Sequence, residues 1–294
     1  MSRKRHWKKY NKQLISRGSI TFLLDPKVFK LKRRRGVIGR PLEFSNEVML
    51  MLMMTKIHFR LTYRKLEGFM KSVMELQGKR HRLPTYSCIA KRAGKLALPA
   101  LTSQNPSVIA IDASGIKVFG EGEWKVKIHG KSKRRTWLKI HVGVDIETGE
   151  IVAQSTTGSR ISDGKMLGTL LDQVSGDLET VLADGAYDSR GCRDVITKRG
   201  AKARIPPPKN ARVWGHDPNR DDDVRIIRGL GGDPPAKSLW GKMTGYSRRA
   251  LVETAFSRMK GLFGSRLFSK KFDNQRVENF LRCLILNRMN ALTA

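Results

Sequence analysis

Apolar residues recur at helical spacing in three successive stretches between residues 45 and 98. Ser45 is placed to cap a first helix running to about Phe59. Thr62 heads a second, in which Tyr63, Leu66, Phe69, Met70, Val73 and Leu76 share one face. Thr85 heads a third, from Tyr86 to about Leu98, which presents Lys91, Arg92 and Lys95. The cluster Met49, Met51, Met53 and Met54 reads as helix core. After a linker from Pro99 to Pro106 the period switches to two. Val108–Ile111 is a continuous apolar run; Trp124, Val126 and Ile128 alternate with lysines; Leu138, Ile140, Val142 and Val144 alternate with Lys139, His141 and Gly143. With 151–156 after the Thr148-Gly149 turn, this predicts an antiparallel meander. Residues 163–174 then read as helix, Thr180–Ala183 as a short buried strand, 189–199 as helix and 202–206 as strand. Right-handed crossovers lay these last strands parallel to the first.

That order is the ribonuclease H-like α/β layout, a mixed sheet with flanking helices. Residues 1–40 read as a basic, mostly extended arm. Residues 41–100 read as a small helical domain resembling a helix-turn-helix, and a plain helical bundle with a solvated basic face fits the same pattern. Residues 101–294 read as the ribonuclease H-like domain, with an irregular excursion at about 206–244 carrying Trp214 and Trp240. A final helical region runs from Gly245 to about 290, broken near Gly264.

Charge adds a partner. Lys and Arg total 58 against 26 Asp and Glu, a formal net charge of +32. Self-repulsion of that size favours a polyanionic partner, nucleic acid first. The charge is segregated: +20 over residues 1–100, +1 over 101–200 and +11 over 201–294. Two basic ends suited to phosphates flank a near-neutral middle suited to something else. The longest apolar run, Val48–Met54, is far below the ~18 residues of a membrane span. No apolar segment follows the basic residues Arg3–Lys9, as a secretory signal would require. Cys88, Cys192 and Cys283 form no disulfide framework, which fits a cytoplasmic, nucleoid-associated protein. The six histidines are scattered, arguing against zinc, and no phosphate-binding Gly-x4-Gly-Lys-Ser/Thr loop is present.

The candidate chemistry lies in acids. Asp112 follows Ile109-Ala-Ile111, and Asp184 follows Val181-Leu-Ala183. A carboxylate after a buried apolar strand is costly unless paired or bound to a cation. Asp188 reads as a cap for the helix at 189. On a helix over 246–263, Tyr246, Arg249, Glu253 and Lys260 share an arc of roughly 60° beside the apolar stripe. Glu253 is thereby aimed at the seam between helix and sheet. A single Asp at a strand end commonly caps a turn, and a polar arc is commonly a solvated face; the three positions together favour a cation site. Carboxylates converging within ~4 Å repel by about 4 kcal/mol per pair at an effective dielectric of 20. They suit Mg2+ or Mn2+, as two ions about 3.5–4 Å apart. Arg249 and Lys260 are placed to hold DNA phosphates. Trp214 and Trp240 either stack on an unpaired base or pack within the excursion.

The spacing Tyr246-x2-Arg249-x3-Glu253-x6-Lys260 resembles the glutamate signature of bacterial insertion-sequence transposases with an Asp-Asp-Glu active site. Gly245–Thr254, Phe119–Trp124, Lys133–Trp137, Ala183–Asp188 and Leu286–Met289 are similar to the insertion sequence 5 family. The resemblance spans almost the whole chain. It implies Asp112, Asp184 and Glu253 as the metal-binding catalytic triad, and Tyr246, Arg249 and Lys260 as a face toward transposon-end DNA. It implies metal-dependent cleavage at terminal inverted repeats and strand transfer to target DNA, by a homo-oligomer on double-stranded DNA. Lys91, Arg92, Lys95 and Trp240 are further candidate DNA contacts. The family's hydroxyl residue after the first Asp is here Ala113. Rival readings are a catalytically inactive DNA-binding regulator, a ribonuclease H-like nuclease without strand transfer, and a basic RNA-binding protein.

Overall fold

The computed structural model describes residues 6–24, 28, 43–78, 82–102, 105–118 and 137–292. Helix α1 (Trp7–Ser16) stands where an extended arm was expected, followed by a 3-10 turn, Ile20–Phe22, capped by Ser19. The basic run Lys32–Arg35 lies outside the described residues. Helices α2 (Asn46–His58), α3 (Tyr63–Leu76) and α4 (Tyr86–Arg92) begin where the sequence predicts. Ser45, Thr62 and Thr85 accept the backbone N–H groups of Val48, Lys65 and Cys88 at 3.3, 3.3 and 3.4 Å. Helix α2 is buried on every side from Val48 to Ile57, so its unbroken apolar run is the middle of a core. Helix α4 stops at Arg92, short of the expected Leu98, because Ala93–Lys95 tightens into a 3-10 turn. Gly94 sits there against the side chain of Asn274, where a Cβ would clash.

The sheet contains β1 (Val108–Lys117), β2 (Trp137–Asp145) and β3 (Ile151–Gly158). A 3-10 turn (Asp163–Met166), helix α5 (Leu167–Leu171), β4 (Thr180–Ala183), α6 (Arg190–Lys198) and β5 (Lys202–Arg204) follow. The strand order is β3-β2-β1-β4-β5. Strand β1 is antiparallel to β2 and parallel to β4, the expected ribonuclease H-like arrangement. The strand expected at 124–128 falls outside the described residues. One sheet face buries Ile109, Ile111, Val181 and Ala183 against Leu170, Leu171, Cys192 and Ile196 of α5 and α6.

The excursion is not irregular. It holds α7 (Pro218–Gly229) and α8 (Pro234–Met243), each with an Asp cap and a Pro at its start. Asp217 accepts the Arg220 N–H at 3.1 Å, and Asp233 accepts that of Ala236 at 2.8 Å. A 3-10 turn (Tyr246–Arg249) leads into α9 (Ala250–Phe263), and α10 (Phe272–Ala291) closes the chain. The chain divides into two compact units, Leu101–Arg266 and Met1–Ala100 with Leu267–Ala294. Helix α10, expected in the sheet domain, thus belongs with the N-terminal helices; its buried residues, Leu281 and Ile285 among them, cover α2. Among the described residues no helix is long and apolar enough to cross a membrane.

Candidate active site

Strand β1 is longer than its apolar run, so Asp112 lies within it, not at its end. Strand β4 supplies the end. Its last pairing is Ala183 opposite Ile111. Asp112 is the next residue of β1, and Asp184, still extended, is the first residue past the end of β4; continued alternation turns both to the face opposite Ile111 and Ala183. That face is covered by α9, which buries Val252, Phe256, Met259 and Phe263. Burial pushes the Asp112 carboxyl above the ordinary carboxylate range, and the charge of Asp184 adds to this. The Ala113 N–H and Arg249 pull the other way.

The helix expected over 246–263 begins only at Ala250, and the 3-10 turn before it together with α9 brings the polar residues to the same place. Arg249 Nη1 donates to Asp112 Oδ2 at 3.0 Å, and Nη2 donates to Glu253 Oε1 at 2.6 Å. The second Asp112 oxygen accepts the Ala113 N–H at 2.7 Å. Lys260 Nζ donates to Ser114 Oγ at 2.7 Å, two residues along β1 on the Asp112 face. Asp184 Oδ1 accepts the Ala186 N–H at 3.0 Å, fixing the 3-10 turn Gly185–Tyr187. Arg249 and Asp112 side chains are each 18% exposed and Glu253 59%, so the glutamate stands at the rim and not within the seam. The Arg249 guanidinium stands between two of the acids, and among the described residues no three potential ligands are already gathered for a metal ion.

A family profile described as "Transposase DDE domain" matches residues 103–288, and a second of the same description matches residues 15–121. The chain belongs to the DDE transposase family. It is a DNA transposase, an enzyme that cuts DNA and joins strands, and its family depends on a divalent metal ion. Matches among solved structures include a piggyBac transposase synaptic complex with hairpin DNA, at 11% identity and TM-score 0.44, covering 94% of this chain and 74% of that one. A pre-cleavage Mos1 transpososome matches at 9% identity and TM-score 0.22, covering 89% and 82%.

Several expected DNA contacts of the transposase are otherwise employed. Trp240 is 1% exposed; its Nε1–H donates to Asp223 Oδ1 at 2.9 Å and its ring lies 5.1 Å from that of Tyr246. It supports Tyr246 and is closed to a stacking base. Tyr246 in turn lies under Arg249, 5.9 Å from ring centroid to guanidinium. Arg92 donates to the Phe44 carbonyl at 2.6 Å, while Lys91 and Lys95 are exposed. Asp188 is no helix cap: Ser189 caps α6. Asp188 is instead buried between Arg193 (2.7 Å) and Arg220 (3.1 Å), joining the core to the excursion. Trp214 lies on the Arg220 guanidinium at 3.6 Å. Ala113 pairs with His141 on the sheet face away from the acids, so its missing hydroxyl bears on that face alone.

Sequence reasoning missed Ser114 as the partner of Lys260 and Tyr187 beside the acids. Tyr187 is 1% exposed, and burial with the charges of Asp163, Asp112 and Asp184 raises its hydroxyl pKa. A tyrosine within Asp-Gly-Ala-Tyr-Asp, directly after a strand, was the available signal.

Proposed function

We infer that this transposase binds the terminal inverted repeats of an element of the insertion sequence 5 type, and that Asp112, Asp184 and Glu253 hold its divalent cations. The observation that carries the reading is the register at the end of β4, which makes Asp112 and Asp184 neighbours on the face covered by α9. Arg249 links Glu253 to the same point. An all-oxygen set of carboxylates suits Mg2+, with Mn2+ as its substitute, in a one- or two-ion arrangement. Cations held there supply Lewis acidity at the scissile phosphodiester.

The chain's own residues do the rest. The Ala113 and Ala186 N–H groups fix the orientation of one oxygen each on Asp112 and Asp184. Lys260, held toward β1 by Ser114, and Arg249 set positive charge beside the acids for the phosphates flanking the cut. Lys91 and Lys95, exposed on the strongly basic N-terminal third, grip duplex DNA. A homo-oligomer brings two ends and the target together.

Plasmid assays with the flanking inverted repeats test this. Asp112→Asn, Asp184→Asn and Glu253→Gln are each expected to abolish nicking and joining in Mg2+, with end binding in gel shifts within about twofold of wild type. Full cleavage by the three variants would overturn the triad. Cleavage by the wild type without joined donor–target product would make the protein a nuclease.

A further inference from the structure

We propose that Arg249 competes with the divalent cation for Asp112 and Glu253, so that this arginine sets the metal affinity of the DNA-free protein. The inference rests on the reading that these acids hold the cation.

One guanidinium occupies carboxylates from two different elements, at 3.0 Å on Asp112 of β1 and 2.6 Å on Glu253 of α9. Both oxygens of Asp112 are engaged, one by Arg249 and the other by the Ala113 amide at 2.7 Å. Each of those oxygens keeps a second lone pair, so the competition is for space and charge: a cation shared by Asp112 and Glu253 would stand where the guanidinium now stands. The Ala113 amide belongs to a paired strand and is fixed, whereas the Arg249 side chain, ion-paired to both acids and lying over the Tyr246 ring, can leave by rotation about its own bonds. Arg249 is therefore the group a cation displaces.

The helix does not depend on this contact for its place. Val252, Phe256, Met259 and Phe263 are all buried under it, and that apolar contact holds it against the sheet. Exchange thus requires a side-chain rotation and no movement of α9. Asp112, Asp184 and Glu253 carry three negative charges against the single positive charge of Arg249. Removing that charge strengthens the attraction for any cation. The planar fork, once displaced, matches a phosphodiester, so DNA that captures it strengthens metal binding reciprocally.

The test is Mn2+ binding to the full chain without DNA, followed by calorimetry and water-proton relaxation. Arg249→Gln is expected to bind Mn2+ about tenfold tighter than wild type. Arg249→Lys, which keeps the charge and loses the fork, is expected to fall between them. Equal or weaker Mn2+ binding in R249Q overturns the competition. If R249Q does not fold, R249K decides, and an affinity unchanged from wild type overturns it. Adding a short DNA duplex is expected to tighten Mn2+ binding in the wild type and not in R249Q; equal tightening in both contradicts capture of the arginine by phosphate. Asp112→Asn separates the cation site from the competition for it. Mn2+ binding that survives D112N refutes the assignment of the acids, whereas D112N-sensitive binding that R249Q leaves unimproved refutes the role of Arg249 alone.

Discussion

Asp112 and His141 show how neighbouring residues of one sheet acquire opposite tasks. Asp112 faces α9; His141, opposite Ala113, faces the other way and is fully buried. His141 Nε2 shares a hydrogen bond with Thr157 Oγ1 at 2.8 Å, and Nδ1 lies 3.7 Å from Asp163 Oδ1, which Lys139 holds at 3.0 Å. Burial lowers the His141 pKa below its ordinary value, Asp163 opposes this and Lys139 adds to it. The folded chain therefore binds fewer protons here than the unfolded chain, and stability falls as pH drops through about 6.5. His141→Gln is expected to shrink the loss of the urea midpoint between pH 7.5 and pH 5.5; an undiminished loss would contradict this. That Asp112 and Asp184 follow paired apolar runs on neighbouring strands, and that Arg249, Glu253 and Lys260 fall on one side of the last core segment, was legible from local pattern; that β1 continues past Asp112 and that Arg249 precedes α9 in a 3-10 turn was not. Trp240 was not, because an aromatic in an excursion reads alike whether it faces solvent or a buried Asp223. The Arg249 bridge between two acids was also hidden, since a polar arc shows which residues are neighbours and not which partners they choose.

At the level of elements, the excursion is held to the core by a buried knot of charge. Asp188 accepts from Arg193 and Arg220, Arg220 donates to the Arg212 carbonyl at 2.7 Å, and Arg193 donates to the Ile205 carbonyl at 3.0 Å. Removing one partner of such a set strands the others in a dry site. Asp188→Asn is expected to lower stability by roughly 3 kcal/mol in urea unfolding, and to open the 206–217 segment to limited proteolysis. A loss below about 0.5 kcal/mol with unchanged proteolysis would show the knot to be dispensable. Strands β1 to β5 and the starts of α2 to α4 were legible, since alternation and Ser or Thr caps are local signals. Helices α7 and α8 were missed because prolines and glycines were read as loop. Asp217-Pro218 and Asp233-Pro234 were the overlooked starts, an N-cap followed by a proline that needs no N–H. The early end of α4 coincides with the 3-10 turn Ala93–Lys95, where Gly94 meets Asn274, a contact about 180 residues away that no local pattern reports.

Across the whole molecule, charge and chemistry are divided along the chain. The first hundred residues carry a net +20, and the acids lie in the unit Leu101–Arg266. Counting charges revealed that division. It did not reveal that α10 joins the N-terminal helices, because periodicity shows that a face is buried and not what covers it. Lys32, Arg33, Arg34 and Arg35 enter here by their charge alone. Replacing all four with Gln is expected to flatten the slope of log affinity for duplex DNA against log salt by about 0.9 for each phosphate that is no longer neutralised; an unchanged slope would mean that this run touches no DNA. The mechanism as a whole turns on where the cation sits. Crystals of the transposase soaked in Mn2+ and measured for anomalous scattering answer that directly. The predicted result is a peak within coordination distance of both Asp112 and Asp184, on the side reached by Glu253, with Arg249 turned away. A peak bound elsewhere, with those carboxylates uncoordinated and Arg249 still on Asp112 and Glu253, would contradict it.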